Sequence, residues 1–169
     1  MKIAIVSDSH DNLATIKKAL AWINRNKITT LIHCGDVCAP GTLKEISKSF
    51  KGAIHLILGN IGPVGIAKDP FRIKELGIKN VKFYGKTGEL KIDGKRLAFV
   101  HEPAVAEKLT RGKKYDLVFF GHTHQPWEKR MGECRLVNPG TLSGMFSKAT
   151  FAVYDTETDK LELKLVERL

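Results

Sequence analysis

The chain has 169 residues, of which 43% are hydrophobic and 27% charged, a composition typical of globular proteins and not of disordered ones. Its formal net charge of +10 favours anionic substrates, but the basic residues are scattered and form no nucleic-acid-binding motif, so nucleic acid is the less favoured substrate. No apolar run approaches the roughly 18 residues of a membrane span, and the N-terminus lacks a signal peptide, which predicts a cytoplasmic protein with no membrane partner.

The N-terminal half alternates strand patterns with helical ones. Strands are predicted at KIAIV, TTLIH and AIHLIL, and helices over residues 13–26 and 42–50 separate them. This β-α-β-α-β order implies a parallel sheet with crossover helices. A third, shorter helix is predicted near residues 70–76, and a strand near residues 81–84 follows it.

The C-terminal half is rich in hairpins. The stretch GELKIDGKRLAFVH alternates apolar and polar residues around Asp93-Gly94, a strong turn signal. A helix near residues 104–110 precedes the strand DLVFF, and two more strand pairs follow, which together predict a mainly antiparallel sheet. Two facing mixed sheets with helices outside give an α/β (α+β) fold, a four-layer α-β-β-α sandwich, with one domain over residues 1–169.

Five of the predicted strands are each followed directly by residues whose side chains can bind a metal ion. These residues occur in the segments SDSH, HCGDV, LGN, FVHE and GHTH, and the carboxyl ends of such strands would bring them to one rim of a sheet. One such segment is weak support for a metal site, but five in this order predict a two-metal centre. The candidate ligands are Asp8, His10, Asp36, Asn60, His101, His122 and His124.

The donor types restrict the metal and the chemistry. Imidazole and carboxylate ligands without cysteine suit Mn, Fe, Zn, Co or Ni, and four imidazoles disfavour Ca. Two nearby dications need a bridging ligand, for which the two carboxylate oxygens of Asp36 are suited. Two dications facing only two carboxylates leave a positive centre, which predicts attack of a metal-bridging hydroxide on a phosphate ester.

The order D-x-H, G-D, G-N, H and G-H-x-H, from Asp8 to Thr141, resembles the pattern of the calcineurin-like metallophosphoesterase superfamily. The forms LIHCGDV, GHTHQP and VNPGT are most similar to the short prokaryotic phosphodiesterases of the YfcE type. The resemblance implies the α-β-β-α fold and a role for residues 138–140 in shaping the loop beside the site. It also implies the ligand assignment: Asp36 bridges two divalent metal ions, one completed by Asp8, His10 and His124, the other by Asn60, His101 and His122.

Two positions depart from the family pattern. Many members have histidine where this chain has Ile61, and glycine where it has Glu102. Glu102 is therefore a tentative catalytic acid, with a solvated glutamate at the start of a helix as the alternative, and Asp36 and Asn60 are the other predicted catalytic residues. His33, inside a strand pattern, is interpreted as a packed histidine or as a partner of the ligands.

The sequence thus predicts an enzyme, a dinuclear metal-dependent phosphodiesterase that acts on a small-molecule phosphodiester. Manganese is the favoured metal, with Ni, Co, Fe or Zn as alternatives. Two other functions stay open: a non-catalytic metal-binding interaction module, as in the retromer subunit of this fold, and a nuclease. The natural substrate, the substrate-binding residues and the formation of a homo-oligomer are not determined by the sequence.

Overall fold

The computed structural model describes residues 1–62, 70–112 and 114–169. Its helices are α1 (Leu13–Arg25), α2 (Pro40–Ser49) and α3 (Pro103–Arg111), and a short 3-10 helix covers Val166–Arg168. Its strands are β1 (Lys2–Val6), β2 (Thr30–His33), β3 (Ala53–Leu56), β4 (Val81–Phe83), β5 (Thr87–Ile92), β6 (Lys95–Val100), β7 (Leu117–Phe119), β8 (Pro126–Met131), β9 (Cys134–Pro139), β10 (Thr150–Asp155) and β11 (Lys160–Leu165).

The strands of the described ranges form two mixed sheets. The first has the order β11-β10-β1-β2-β3-β4, in which β1 to β4 are parallel and β10 and β11 join antiparallel at one edge. The second has the order β5-β6-β7-β9-β8, with parallel neighbours at its centre and an antiparallel strand at each edge. The hairpin between β5 and β6 turns at Asp93 and Gly94, both with positive φ, as the sequence predicted.

The central strands are buried because both of their faces are covered. Ile5 of β1 faces the second sheet and joins an apolar layer that includes Phe99. Its neighbour Val6 joins Ile16 of α1 in the layer between the first sheet and its helices. Ala106 of α3 lies in a third layer, on the outer face of the second sheet. These three apolar layers confirm the predicted four-layer α-β-β-α sandwich.

Three local predictions are corrected. Residues 70–76 form turns and no α-helix, although Leu76 N donates to Arg72 O at 2.9 Å. α2 begins at Pro40 and not at residue 42, because a proline at the first helical position forgoes no intrahelical hydrogen bond. The second sheet is not mainly antiparallel, because α3 is a crossover that makes β6 and β7 parallel neighbours.

Two features of the sequence lie partly or wholly outside the described residues. The predicted loop GNIGPVG is described only as far as Gly62, and the basic residues Lys68 and Lys113 are not described. In the parts of the chain that are described, no helix has the length and apolar character needed to cross a membrane.

Candidate metal centre

The candidate ligands lie together at one rim of the sandwich, where strands of both sheets end. The loops after β1, β2 and β3 come from the first sheet, and the loops after β6 and β7 come from the second. The centre therefore spans the seam between the two sheets. These loops carry all seven predicted ligands: Asp8, His10, Asp36, Asn60, His101, His122 and His124.

One group of ligands combines the first loop of the chain with the GHTH segment. His10 Nε2 lies 3.1 Å from His124 Nε2, and Asp8 Oδ1 lies 3.3 Å from the same His124 nitrogen. One donor atom from each of the three residues lies within 4.8 Å of the others, close enough to share one metal ion. Asp8 and His124 are buried, so few water molecules compete for these positions.

A second group forms around Asn60, and Asp36 lies between the two groups. Asn60 Oδ1 is 2.6 Å from His101 Nε2 and 3.0 Å from His122 Nδ1. Asp36 Oδ2 is 3.6 Å from His101 Nε2 and also 3.6 Å from His10 Nε2. One carboxylate oxygen is thus equally distant from an imidazole of each group.

Hydrogen bonds on the far side of two imidazoles determine which nitrogen faces the centre. His101 Nδ1 donates to the carbonyl oxygen of Cys34 at 2.8 Å, and His124 Nδ1 donates to that of Met145 at 3.1 Å. In the neutral imidazole each Nε2 then carries a lone pair, and that of His101 faces the amide oxygen of Asn60, which is also an acceptor. Acceptor atoms that converge in this way repel each other unless a cation lies between them, so this donor set fits divalent metal ions.

Strained backbone conformations orient most of these side chains. Non-glycine residues rarely adopt positive φ, and each such residue costs about 1–3 kcal/mol. Strain of this kind concentrates at sites where function, and not stability, determines the geometry. Five of the seven candidate ligands have positive φ: Asp8 (52°), His10 (38°), Asp36 (59°), His122 (71°) and His124 (59°).

The glycines of the G-N and G-H motifs are required by close approach of the neighbouring loops. A Cβ atom on Gly59 would lie 1.9 Å from Asp36 Oδ1. A Cβ atom on Gly121 would lie 1.9 Å from Ser7 Oγ and 2.7 Å from Asp8 Oδ2. Any side chain at either position would therefore displace a candidate ligand carboxylate.

Asp8 is held from several sides. Its carboxylate accepts hydrogen bonds from the backbone N–H of His122 at 3.1 and 3.2 Å, and its carbonyl oxygen accepts one from the Thr141 hydroxyl at 2.9 Å. Burial raises the pKa of the Asp8 carboxyl, because the charged form loses its hydration. A bound cation would favour the ionised carboxylate again.

Asn138 connects the two sides of the GHTH loop. Its amide nitrogen donates to the Gly121 carbonyl at 2.9 Å and to the Thr123 hydroxyl at 3.0 Å, on either side of His122. Its amide oxygen accepts the N–H of Gly140 at 2.8 Å. The segment 138–140 thus shapes the loop that carries two candidate ligands.

The two positions that depart from the family pattern both lie at the edge of the centre. The Ile61 N–H donates to Asp36 Oδ1 at 2.9 Å, but its apolar side chain is half exposed. Glu102 Oε2 lies 4.0 Å from His122 Nε2, and its side chain makes no capping hydrogen bond to α3. The structure therefore places a carboxylate near the centre at 102 and no titratable group at 61.

Sequence reasoning missed the contribution of residues 141–148. In this loop Met145 supplies the carbonyl that orients His124, and the Phe146 ring lies 5.4 Å from the His124 ring. The segment LSGMFSK follows strand β9 but has neither a metal-ligand pattern nor a Gly-rich phosphate motif, so no sequence signal pointed to it.

His33 connects two of the loops that carry candidate ligands through a hydrogen bond to Ser9. It is buried, its Nε2 lies 3.1 Å from Ser9 Oγ, and Ser9 Oγ donates to the Asp36 carbonyl oxygen at 3.2 Å. Both interpretations of this histidine therefore hold, because it is packed and it also connects the loops that carry His10 and Asp36. Burial, with smaller contributions from His101 and His10, lowers the pKa of His33 to about 3.

This depressed pKa predicts a loss of stability in acid. Between about pH 3 and pH 6.5, His33 is protonated in the unfolded chain but stays neutral in the folded one. The free energy of unfolding therefore falls as the pH falls through this range. The contribution is at most about 1.4 kcal/mol per pH unit. Denaturant unfolding of metal-free protein at several pH values should give a shallower pH dependence for His33→Gln than for the wild type.

His55 is a suitable control, because it is only partly buried and bonds to Tyr84 at 2.8 Å. His55→Gln should change the pH dependence less than His33→Gln does. Equal slopes for wild type and His33→Gln would show that His33 is not held neutral by the fold.

Comparison with known proteins agrees with this geometry. The family model for the calcineurin-like phosphoesterase superfamily domain matches residues 1–159. A phosphodiesterase of Methanocaldococcus jannaschii is 29% identical over 160 residues, which cover 93% of this chain and 94% of that protein. A solved archaeal phosphodiesterase superposes with a TM-score of 0.85 at 26% identity, covering 98% of this chain and 99% of that one.

The predicted likeness to the YfcE type is also confirmed at the level of the fold. The solved phosphoesterase YfcE of E. coli has a TM-score of 0.65 at 16% identity, with 98% of this chain and all of that one (100%) covered. The family match extends over nearly the whole chain and includes every strand that precedes a candidate ligand. The chain belongs to the calcineurin-like phosphoesterase superfamily.

Proposed function

We propose that the chain, as a single domain of residues 1–169, is a metal-dependent phosphodiesterase with two divalent ions in this centre. The observation that carries the proposal is the position of Asp36 Oδ2, 3.6 Å from an imidazole nitrogen of each ligand group. A shared carboxylate oxygen is the element that a pair of cations needs to offset their repulsion. Asp8, His10 and His124 would hold one ion, and Asn60, His101 and His122 the other.

The donor set favours one class of metal. Four imidazoles, two carboxylates and one amide oxygen suit Mn²⁺, Ni²⁺, Co²⁺, Fe²⁺ or Zn²⁺, of which we propose Mn²⁺, whereas Mg²⁺ and Ca²⁺ prefer oxygen ligands. When bound, the ions would supply Lewis acidity toward the phosphate oxygens and a water activated at neutral pH. The protein itself holds the imidazole tautomers through Cys34 and Met145 and keeps Asp8 and Asp36 out of bulk water.

Proton supply to the departing group is assigned to Glu102. Its carboxyl is half exposed, so it can exchange protons with water, and it lies beside His122 at the edge of the centre. The Ile61 side chain cannot donate a proton. Glu102 is therefore a titratable side chain at this edge that could protonate a leaving alkoxide, and in this assignment it would contact the reacting oxygen directly.

The first test is turnover of bis(p-nitrophenyl) phosphate. We expect hydrolysis with added Mn²⁺, little with Mg²⁺, and loss of activity after chelation, restored by Mn²⁺. Activity on p-nitrophenyl phosphate should be lower, because a monoester dianion can bind both cations with its free oxygens and compete with the attacking water. Full activity of protein shown by metal analysis to be metal-free would contradict the two-ion proposal, and metal binding without any turnover would favour a non-catalytic interaction module.

Asp36→Asn tests the shared ligand. It removes the charge between the two groups, so we expect a loss of at least about 10²-fold in kcat/KM and a lower bound-metal content measured by mass spectrometry. Asp155→Asn, on β10, is the matched control and should change neither. If Asp36→Asn kept both its metal content and its rate, Asp36 would not be the bridging ligand.

Glu102→Gln tests the proton donor. A general acid matters most for poor leaving groups, so the variant should lose about 10²-fold with simple alkyl diesters and little with nitrophenyl diesters. Glu107→Gln, an exposed residue on the same helix, is the control. An equal loss on both substrate types would assign Glu102 to metal binding, beside His101 and His122.

A further inference from the structure

Phe146 has an unusual environment for a phenylalanine. Its side chain is 90% exposed, and its backbone φ is +64°. Exposure forgoes the roughly 1.5–3 kcal/mol gained by burying such a ring, and the left-handed backbone adds strain for a bulky residue. Neither feature contributes to folding, so both require another explanation.

The loop that carries Phe146 is tied to the metal centre. Ser147 Oγ donates to the His124 carbonyl at 2.6 Å, His124 Nδ1 donates to the Met145 carbonyl at 3.1 Å, and Met145 N donates to Ser143 Oγ at 3.1 Å. The aromatic ring lies 5.4 Å from the His124 imidazole, tilted by 42°. The exposed ring is therefore held in place beside a candidate ligand.

Other exposed apolar side chains lie near the same centre. Among the described residues, Ile61 (50% exposed), Val105 (42%) and Met145 (42%) lie on or beside the ligand loops. Isolated exposed hydrophobic residues need no explanation, but several of them beside one polar centre indicate a binding site for a partly apolar ligand.

A cleft adjoins the centre on the side of His101 and Asn60. Its volume is about 320 Å³, enough for one ester substituent, and Leu58, Val100 and Val105 are among its apolar lining residues. Lys86 also lines this cleft. Phe146 lies beside His124 of one ligand group, whereas the cleft lies beside His101 and Asn60 of the other. A phosphate bound between the two groups would therefore have apolar surface near each of its two ester arms.

We propose that Phe146 is a specificity-determining residue: its ring stacks on a planar aromatic group, either a nucleobase or an aryl ring, carried by one ester arm of the phosphodiester, while the other arm enters the cleft. The inference rests on the proposed function, since it assigns the substrate class of the same centre. Aromatic stacking needs a rigid, solvent-facing ring, which this loop supplies. Exposed apolar side chains beside the candidate metal ligands suit a small amphipathic anion. They suit a protein partner less well, because a stable protein interface covers about 800 Å² on each partner.

Affinities for stable phosphate analogues test the stacking contact without requiring turnover. Calorimetry with Mn²⁺-loaded protein should show phenylphosphonate binding about tenfold more tightly than methylphosphonate, and thymidine monophosphate more tightly than ribose phosphate. The larger of the two ratios identifies the natural arm as aryl or nucleobase. Phe146→Ala should bring both ratios close to one, and Phe146→Trp should preserve them. Leu163→Ala, which removes an exposed apolar side chain of β11, should leave them unchanged.

Kinetics and mass give two further readouts. With bis(p-nitrophenyl) phosphate, Phe146→Ala should raise KM more than it lowers kcat. Affinity ratios near one in the wild type, or ratios that persist in Phe146→Ala, would overturn the proposal. The proposal would also be overturned if the wild type formed an oligomer in solution that Phe146→Ala did not form, with both affinity ratios unchanged. That result would assign the ring to contact with a second copy of the chain. Loss of all turnover in the wild type with intact affinity ratios would contradict only the proposed function.

Discussion

The position of one carboxylate, that of Asp36, determines the geometry of the whole centre. It is buried, it accepts the Ile61 N–H at 2.9 Å, and its other oxygen is equally distant from two imidazole nitrogens. The Asp36 carboxylate fits against the backbone of Gly59 only because that residue has no Cβ atom. The motifs that seem separate in the sequence are thus parts of one steric arrangement, in which glycine in one loop makes room for the ligand of another.

The same arrangement has an energetic consequence. Two buried carboxylates and several imidazoles lie within a few ångströms, and many of them occupy strained backbone conformations. Such a cluster opposes folding, so the apolar layers must hold it together. The layer between the sheets does so directly, because β1, β2, β6 and β7 contribute to it and also carry ligand loops at their ends. Cations would offset the remaining repulsion among the acceptor atoms.

Much of this organisation was predictable because the signals are local. Alternating burial, the Asp93-Gly94 turn and the ligands directly after strands can each be recognised within a few residues, and the order of the motifs then indicates the family. The parallel pairing of β6 and β7 could also have been predicted, since a helix lies between them, but the neighbouring hairpins dominated the interpretation. The α-helix expected at 70–76 was wrong because a short apolar segment packs equally well as turns, as the buried Phe71 does.

Phe146 could not be predicted for a different reason. Its importance depends on the absence of burial, and a sequence pattern gives no sign that a particular phenylalanine will stay exposed. The orienting carbonyls of Cys34 and Met145 are equally hidden, because backbone oxygens have no sequence signature. The sequence therefore predicts which atoms can bind the metal and leaves open which atoms orient them.

The placement of candidate ligands on both sheets would make an occupied metal centre a topological crosslink. Asp8 and His124 are separated by more than a hundred residues, yet they belong to one ligand group. A cation held by both closes a chain loop of that length, and it restricts the unfolded ensemble only as long as the ion stays bound, as a disulfide does until it is reduced. Unfolding of the metal-loaded chain would then begin at the edge strands of the two sheets, β4, β5, β8 and β11, because none of them is followed by a candidate ligand. The ligand rim would be the last part of the sandwich to separate.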